Sequence, residues 1–157
     1  MSNLYHLSTD TKNGIKKFRS ATARSDDAQI QVIKIQPKPS YEIIIDDDED
    51  LEDFKELSDL AELLPDNMPR FVLMSYPMTT RDGRKKTPLV MLYWKPPTVV
   101  SQEWKMLYAG ALEMVRVECA VNKFIEVSSG LEDEDEIEEL KQEIEADWSV
   151  QTQSEPN

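Results

Sequence analysis

The sequence predicts an α/β fold: one central mixed sheet of about five strands, sandwiched between α-helices. Residues 71–74 and 89–94 are nearly unbroken apolar runs, which is how strands buried on both faces read. Between them Asp82-Gly83 marks a tight turn, because Gly accepts positive φ without steric cost. After the second run, apolar residues recur at three- and four-residue steps to about Glu118, and a short apolar run closes at 122–127. A strand, a crossover helix and a final strand make a parallel unit.

The elements follow in the order helix, strand, strand, helix, strand, strand, helix, strand, helix. Leu7, Thr11, Ile15 and Phe18 share one helical face, with Ser8 as cap and Lys12, Lys16 and Arg19 along the outside. Gly14 costs that helix about 1 kcal/mol relative to Ala, so it must lean on packing. Residues 28–35 and 41–45 are strands joined by Pro37-Lys38-Pro39-Ser40. Leu51, Phe54, Leu57, Leu60, Ala61 and Leu64 have helical spacing, ended by Pro65.

Pro96-Pro97 ends the second buried strand, and Ser101 caps the long helix. Trp104, Leu107, Tyr108, Ala111, Met114, Val115 and Cys119 face inward. Lys105, Ala109, Leu112, Glu113 and Arg116 face out, with Met106 beside them. Small residues on an exposed helix face let another protein approach closely. Ser128-Ser129-Gly130 breaks the chain, and Ile137, Leu140 and Ile144 then line a last acidic helix, with Trp148 capping its end against the body. The chain is read as one domain over 1–148, with a disordered polar tail over 149–157.

The formal net charge of −13 is unevenly spread. Residues 46–66 hold eleven acids and one Lys, and residues 131–148 ten acids and one Lys. Residues 70–95 hold six cations and one acid. No broad basic footprint exists, which argues against nucleic acid as a partner. Nothing resembles an apolar leader or a membrane span. A single cysteine, Cys119, excludes an internal disulfide, and a soluble cytoplasmic monomer is the simplest reading.

Catalysis finds little support. His6 is the only histidine and lies near the N-terminus, read as flexible. Cys119 sits on the apolar face of the long helix, where a thiol is inert packing. The four glycines form no phosphate loop. One Cys and one His cannot make a zinc site. Asp46-Asp47-Asp48-Glu49-Asp50 lacks the spacing and Gly of a calcium loop and reads as solvated. No cofactor or metal is expected, and function rests on surfaces. The hairpin tip projects Arg81, Arg84, Lys85 and Lys86 as an anion-seeking patch.

Lys105-Met106-Leu107-Tyr108-Ala109-Gly110 resembles the long-helix signature of the actin-depolymerising factor/cofilin homology (ADF-H) domain. With Pro69-Arg70-Phe71-Val72, Ser75-Tyr76, Asp82-Gly83-Arg84 and Pro88-Leu89, it resembles more closely one branch of that family, the glia maturation factors. The resemblance spans roughly residues 4–144.

It implies a single ADF-H domain whose long helix and N-terminal segment enter a groove in an actin-like fold. Carried over residue by residue, that face is Leu4, Tyr5, Lys105, Met106, Ala109, Gly110, Glu113 and Arg116. A second surface is the hairpin tip, Arg81, Arg84, Lys85 and Lys86, with Glu134 and Glu138 of the last helix. The implied partners are the actin-related protein 2/3 complex, which nucleates branches, and the first actin subunit of the daughter filament. The implied activity is inhibition of nucleation and release of branches, in the cytoplasm at cortical actin structures, with the nucleus as a further site. Cofilins follow this hexapeptide with a lysine-rich turn, whereas residues 111–118 carry one cation, Arg116. A cofilin-like protein that depolymerises or severs filaments directly is the alternative.

Overall fold

The computed structural model describes residues 4–36, 40–80, 82–98 and 101–146. Its first half runs β1 (Tyr5–Leu7), α1 (Thr9–Thr22), β2 (Gln29–Gln36), β3 (Tyr41–Ile45) and α2 (Leu60–Leu63). The second runs β4 (Arg70–Ser75), β5 (Met78–Thr79), β6 (Lys85–Lys86), β7 (Leu89–Trp94), α3 (Gln102–Cys119), β8 (Lys123–Val127) and α4 (Glu134–Glu145). Six strands form one mixed sheet in the order β1-β3-β2-β4-β7-β8. The β1–β3 and β7–β8 pairs are parallel and the others antiparallel.

The two apolar runs become the sheet's centre, β4 and β7, paired as Phe71↔Tyr93 and Val72↔Leu92. Successive side chains alternate between faces. Val72, Met74, Val90, Leu92 and Trp94 meet Phe54, Leu57, Leu60, Leu140 and Ile144 in one core. Phe71, Leu73, Met91 and Tyr93 meet Ile15, Tyr108, Ala111, Val115 and Cys119 in the other. α1 and α3 therefore cover one face, and the 51–64 segment with α4 covers the other. Full burial of a Leu-sized side chain contributes about 1.5–3 kcal/mol, so these two layers dominate the stability.

Local chemistry starts and stops the helices. Ser8 Oγ accepts from the Thr11 amide, Ser101 Oγ from the Trp104 amide, and Asp133 Oδ1 from the Glu136 amide. The Gly14 gap in α1 has a tertiary cause: a Cβ there would overlap Cδ1 of Ile45. The packing on which the helix was expected to lean is thus Ile45 seated where a side chain is missing.

Three expectations change. The sheet has a sixth strand, β1, so His6 lies in a parallel pair with Glu42 of β3 rather than in a loose N-terminus. The 51–64 helix is broken into two 3-10 turns, Glu49–Asp53 and Leu57–Asp59, followed by the single turn of α2. A side chain captures the amides a continuous helix would need. Asp59 Oδ2 accepts from the Lys55 and Glu56 amides, whereas Asp48 Oδ1, on the Asp50 amide, caps the first turn. Finally, Leu112 is half-buried against the α1–α3 core rather than facing out. Residues 147–157, including Trp148 and the 149–157 tail, lie outside the described residues, as does Arg81.

Among the described residues no helix is long and apolar enough to cross a membrane. No group of three or more His, Cys, Asp or Glu among them could hold a metal ion.

Candidate functional site

The exposed side of α3 is the most distinctive surface. Pro96 and Pro97 end β7, Ser101 caps the helix, and four residues bury it against the sheet: Tyr108, Ala111, Val115 and Cys119. Trp104, Leu107, Leu112 and Met114 pack at the flanks. Past the first turn, where Gln102 and Glu103 are exposed, what remains outward is Met106, Ala109, Gly110, Glu113, Arg116 and Val117. Met106 is 72% exposed and Val117 68%, unusual for large apolar side chains.

Tyr108 holds the helix in place. Its buried hydroxyl accepts from the Ile35 amide at 3.0 Å and from Arg70 Nη1 at 3.2 Å. Arg70 also donates to the Pro69 carbonyl, and its Nε lies 3.7 Å from an Asp46 carboxylate oxygen. Burial raises the Tyr108 hydroxyl pKa, and Arg70 works against that rise. The hydroxyl so stays protonated, and the network pins α3 to the ends of β2 and β4.

Tyr5 fixes the other element of the face. Its hydroxyl donates to the Leu107 carbonyl at 2.8 Å. It rests over Gly110, 2.5 Å from where a Cβ would stand. Tyr5 is consequently half-buried and turned into its own protein, while Leu4 beside it is 54% exposed. Gly110 has an intrachain reason to lack a side chain, whatever docks above it. Leu4, Tyr5, Lys12, Met114 and Glu118 border a groove of about 470 Å³ between β1 and the second half of α3.

The ridge is nearly neutral. Arg116 Nη2 lies 3.2 Å from Glu113 Oε2, and its guanidinium stands 5.9 Å from the Phe124 ring centre. Lys105 is half-buried with no ion pair among the described residues. Spacing reasoning missed Val117, although 106, 110, 113 and 117 follow the same three- and four-residue rhythm on the solvent side.

The second surface is a hairpin. Met78 and Thr79 pair with Lys86 and Lys85, and the Thr80 amide donates to the Arg84 carbonyl at 2.8 Å. Gly83 has φ +89°, the left-handed position such a loop requires. The Thr80 hydroxyl bonds the Asp82 carboxylate and, with Arg84 at 3.4 Å, holds its pKa below the usual range. Arg84, Lys85 and Lys86 are all exposed.

Glu134 and Glu138 are exposed one turn apart on α4. Asp26 links the two parts. It lies 3.7 Å from Lys85 and lines both the groove beside the hairpin and the neighbouring groove that holds Glu138. Asp26 was not foreseen, because it comes from the α1–β2 loop.

Burial, then Glu118, pushes the Cys119 thiol up to about 12, so it remains protonated and inert. His6 is exposed on β1.

Comparison with known proteins fits this geometry. Residues 5–147 match the model of the cofilin/tropomyosin-type actin-binding proteins. Protein AIM7 of Saccharomyces cerevisiae is 65% identical over 147 residues, covering 92% of this chain and 99% of that one. The solution structure of glia maturation factor from Caenorhabditis elegans superposes with a TM-score of 0.67 at 28% identity, covering 90% of this chain and 99% of the other. The ADF-like UNC-60A protein of the same worm also gives 0.67, at 15% identity and covering 96% and 99%, a likeness of fold alone.

Proposed function

The chain belongs to the family of cofilin/tropomyosin-type actin-binding proteins, and from that premise we propose that it binds the actin-related protein 2/3 complex, inhibits nucleation and releases daughter filaments. The observation that carries this reading is the neutral α3 ridge. Past Lys105 and Met106 its exposed side offers Ala109, Gly110, an internally paired Glu113–Arg116, and Val117. A ridge without surplus positive charge is poorly suited to gripping acidic filament surfaces directly. It suits close, largely apolar seating in a groove of an actin-like subunit. The likeness to glia maturation factor supports the same choice.

The mechanism is differential binding. A ligand shifts an equilibrium only by its difference in affinity between two states. A wedge that fits the nucleating complex better when the daughter filament is detached therefore favours detachment, tenfold for each ~1.4 kcal/mol of preference. The ridge supplies the grip. The hairpin cations with Glu134 and Glu138 touch the first actin subunit of the daughter filament. No bond is made or broken, and the work is done in the cytoplasm at cortical actin.

Direct filament binding in the manner of cofilin is the second reading, favoured by the family description itself. Capture of the purified complex tests the first. Lys105→Ala with Met106→Ala should weaken capture severalfold while the circular dichroism spectrum is kept. Unchanged capture would remove α3 from the account.

A further inference from the structure

One edge of β2 is only half covered. β3 pairs with Ile33 to Gln36 and then departs, its last tie being the Asp46 amide to the Val32 carbonyl at 2.7 Å. Residues 29–32 have β4 on one side and no strand on the other. Backbone groups of an antiparallel strand point alternately to its two neighbours. The Asp46–Val32 bond shows that the even-numbered residues of β2 face the β3 side. The Ile30 N–H and C=O therefore point to the open side, where no described residue pairs with them, while Val32 beyond it is buried.

That edge opens into a groove of about 440 Å³. Phe18 walls it on the α1 side, and Leu51 and Phe54 on the other. Its mouth carries carboxylates. Asp46 is already answered by Lys34 at 3.8 Å and Arg70 at 3.7 Å. Asp47, Asp48 and Glu52 make no salt bridge among the described residues.

We propose that this groove is a strand-addition site for an extended, lysine- or arginine-bearing segment of a partner protein. The open donor and acceptor of Ile30 are answered by an extended chain and not by a helix, whose own groups are already paired. The uncompensated carboxylates select cationic side chains. Alternate side chains of the added strand fall towards Phe18 and towards the Leu51–Phe54 wall. The groove uses no residue of the α3 ridge or the hairpin, so a partner here leaves the debranching surfaces free.

The test is an amide-resolved NMR titration of the full chain with the capped hexapeptide Lys-Val-Lys-Val-Lys-Val and with its fully N-methylated form. The methylated peptide keeps the charge and cannot pair as a strand. Saturable shifts centred on Ile30, Val32 and residues 46–52 are expected. They should weaken about tenfold or more with the methylated peptide, since each lost bond is worth roughly 1 kcal/mol, and should weaken again with Asp47→Lys plus Glu52→Lys. Equal affinity for both peptides, or shifts spread evenly over the acids of α4, would mean charge attraction alone and overturn the proposal. Absence of saturable binding would overturn it too, leaving the carboxylates as guards of a blunted edge.

Discussion

The Tyr5 hydroxyl occupies the space that a side chain on Gly110 would need, and it donates to the carbonyl of Leu107, one turn earlier in α3. One bond thus joins the first strand to the long helix and holds the two parts of the candidate face in register. Tyr5→Phe should cost about 1 kcal/mol in urea denaturation, the usual net worth of a hydrogen bond. Gly110→Ala would ordinarily gain up to about 1 kcal/mol in a helix interior. Here the new methyl displaces the hydroxyl and the gain should vanish. In the Tyr5→Phe background the nearest ring carbon is 3.4 Å from the new atom, an ordinary contact, and the gain should return. Additive effects in this double-mutant cycle would contradict the lock.

Alkaline pH should expose the buried thiol. Cys119 keeps its proton in the native state to about pH 12, while the unfolded chain releases it near its ordinary value of 9.0. Above that value the native state holds more protons, so stability falls as pH rises, with a slope approaching ~1.4 kcal/mol per pH unit. Burial, with Glu126, pushes Tyr93 up to about 12, and burial raises Tyr5, Tyr76 and Tyr108 above 10.0, so the tyrosines add to the fall as pH nears 10 and are common to both chains. Urea midpoints at pH 8, 9 and 10 should fall less steeply for Cys119→Ala than for the native chain. Parallel lines would contradict the assignment.

The end of α4 is tied to the sheet by Tyr76, whose hydroxyl donates to Glu145 Oε2 at 2.6 Å. Tyr76→Phe should leave the centre of the helix intact and speed hydrogen exchange at Ile144 and Glu145 severalfold. Unchanged protection at those amides would show that apolar packing of Ile144 alone secures the helix end.

The two candidate surfaces should separate functionally. Arg81→Glu with Arg84→Glu should reduce branch release more than it reduces affinity for the nucleating complex, because the hairpin is assigned to the actin subunit. Affinity is read from capture and release from branch lifetimes in time-lapse imaging. Equal losses in both would reject the division.

The buried centre was legible because β4 and β7 are apolar on both faces and α3 carries a regular stripe with a Ser cap. Those signals are local. β1 was missed because three residues hold too little pattern, and its existence depends on pairing with β3, more than thirty residues away. The 51–64 segment has helical spacing of its apolar residues, yet Asp59 takes the Lys55 and Glu56 amides that would continue a helix. Spacing reports which residues face the core and not how the backbone between them is bonded. At the candidate face, Met106, Ala109 and Gly110 were readable from the hexapeptide. The inward turn of Tyr5 and the half-burial of Leu112 were not, since both depend on what packs across from them.

The central claim is that the chain works on branch junctions through a neutral α3 ridge rather than by gripping filaments. Paired assays on one preparation test it most directly: co-sedimentation with unbranched actin filaments, and branch lifetimes in networks built by the purified nucleating complex. The expected result is negligible pelleting with filaments and shortened branch lifetimes that Lys105→Ala with Met106→Ala restores. Strong pelleting with bare filaments and unchanged branch lifetimes would contradict it.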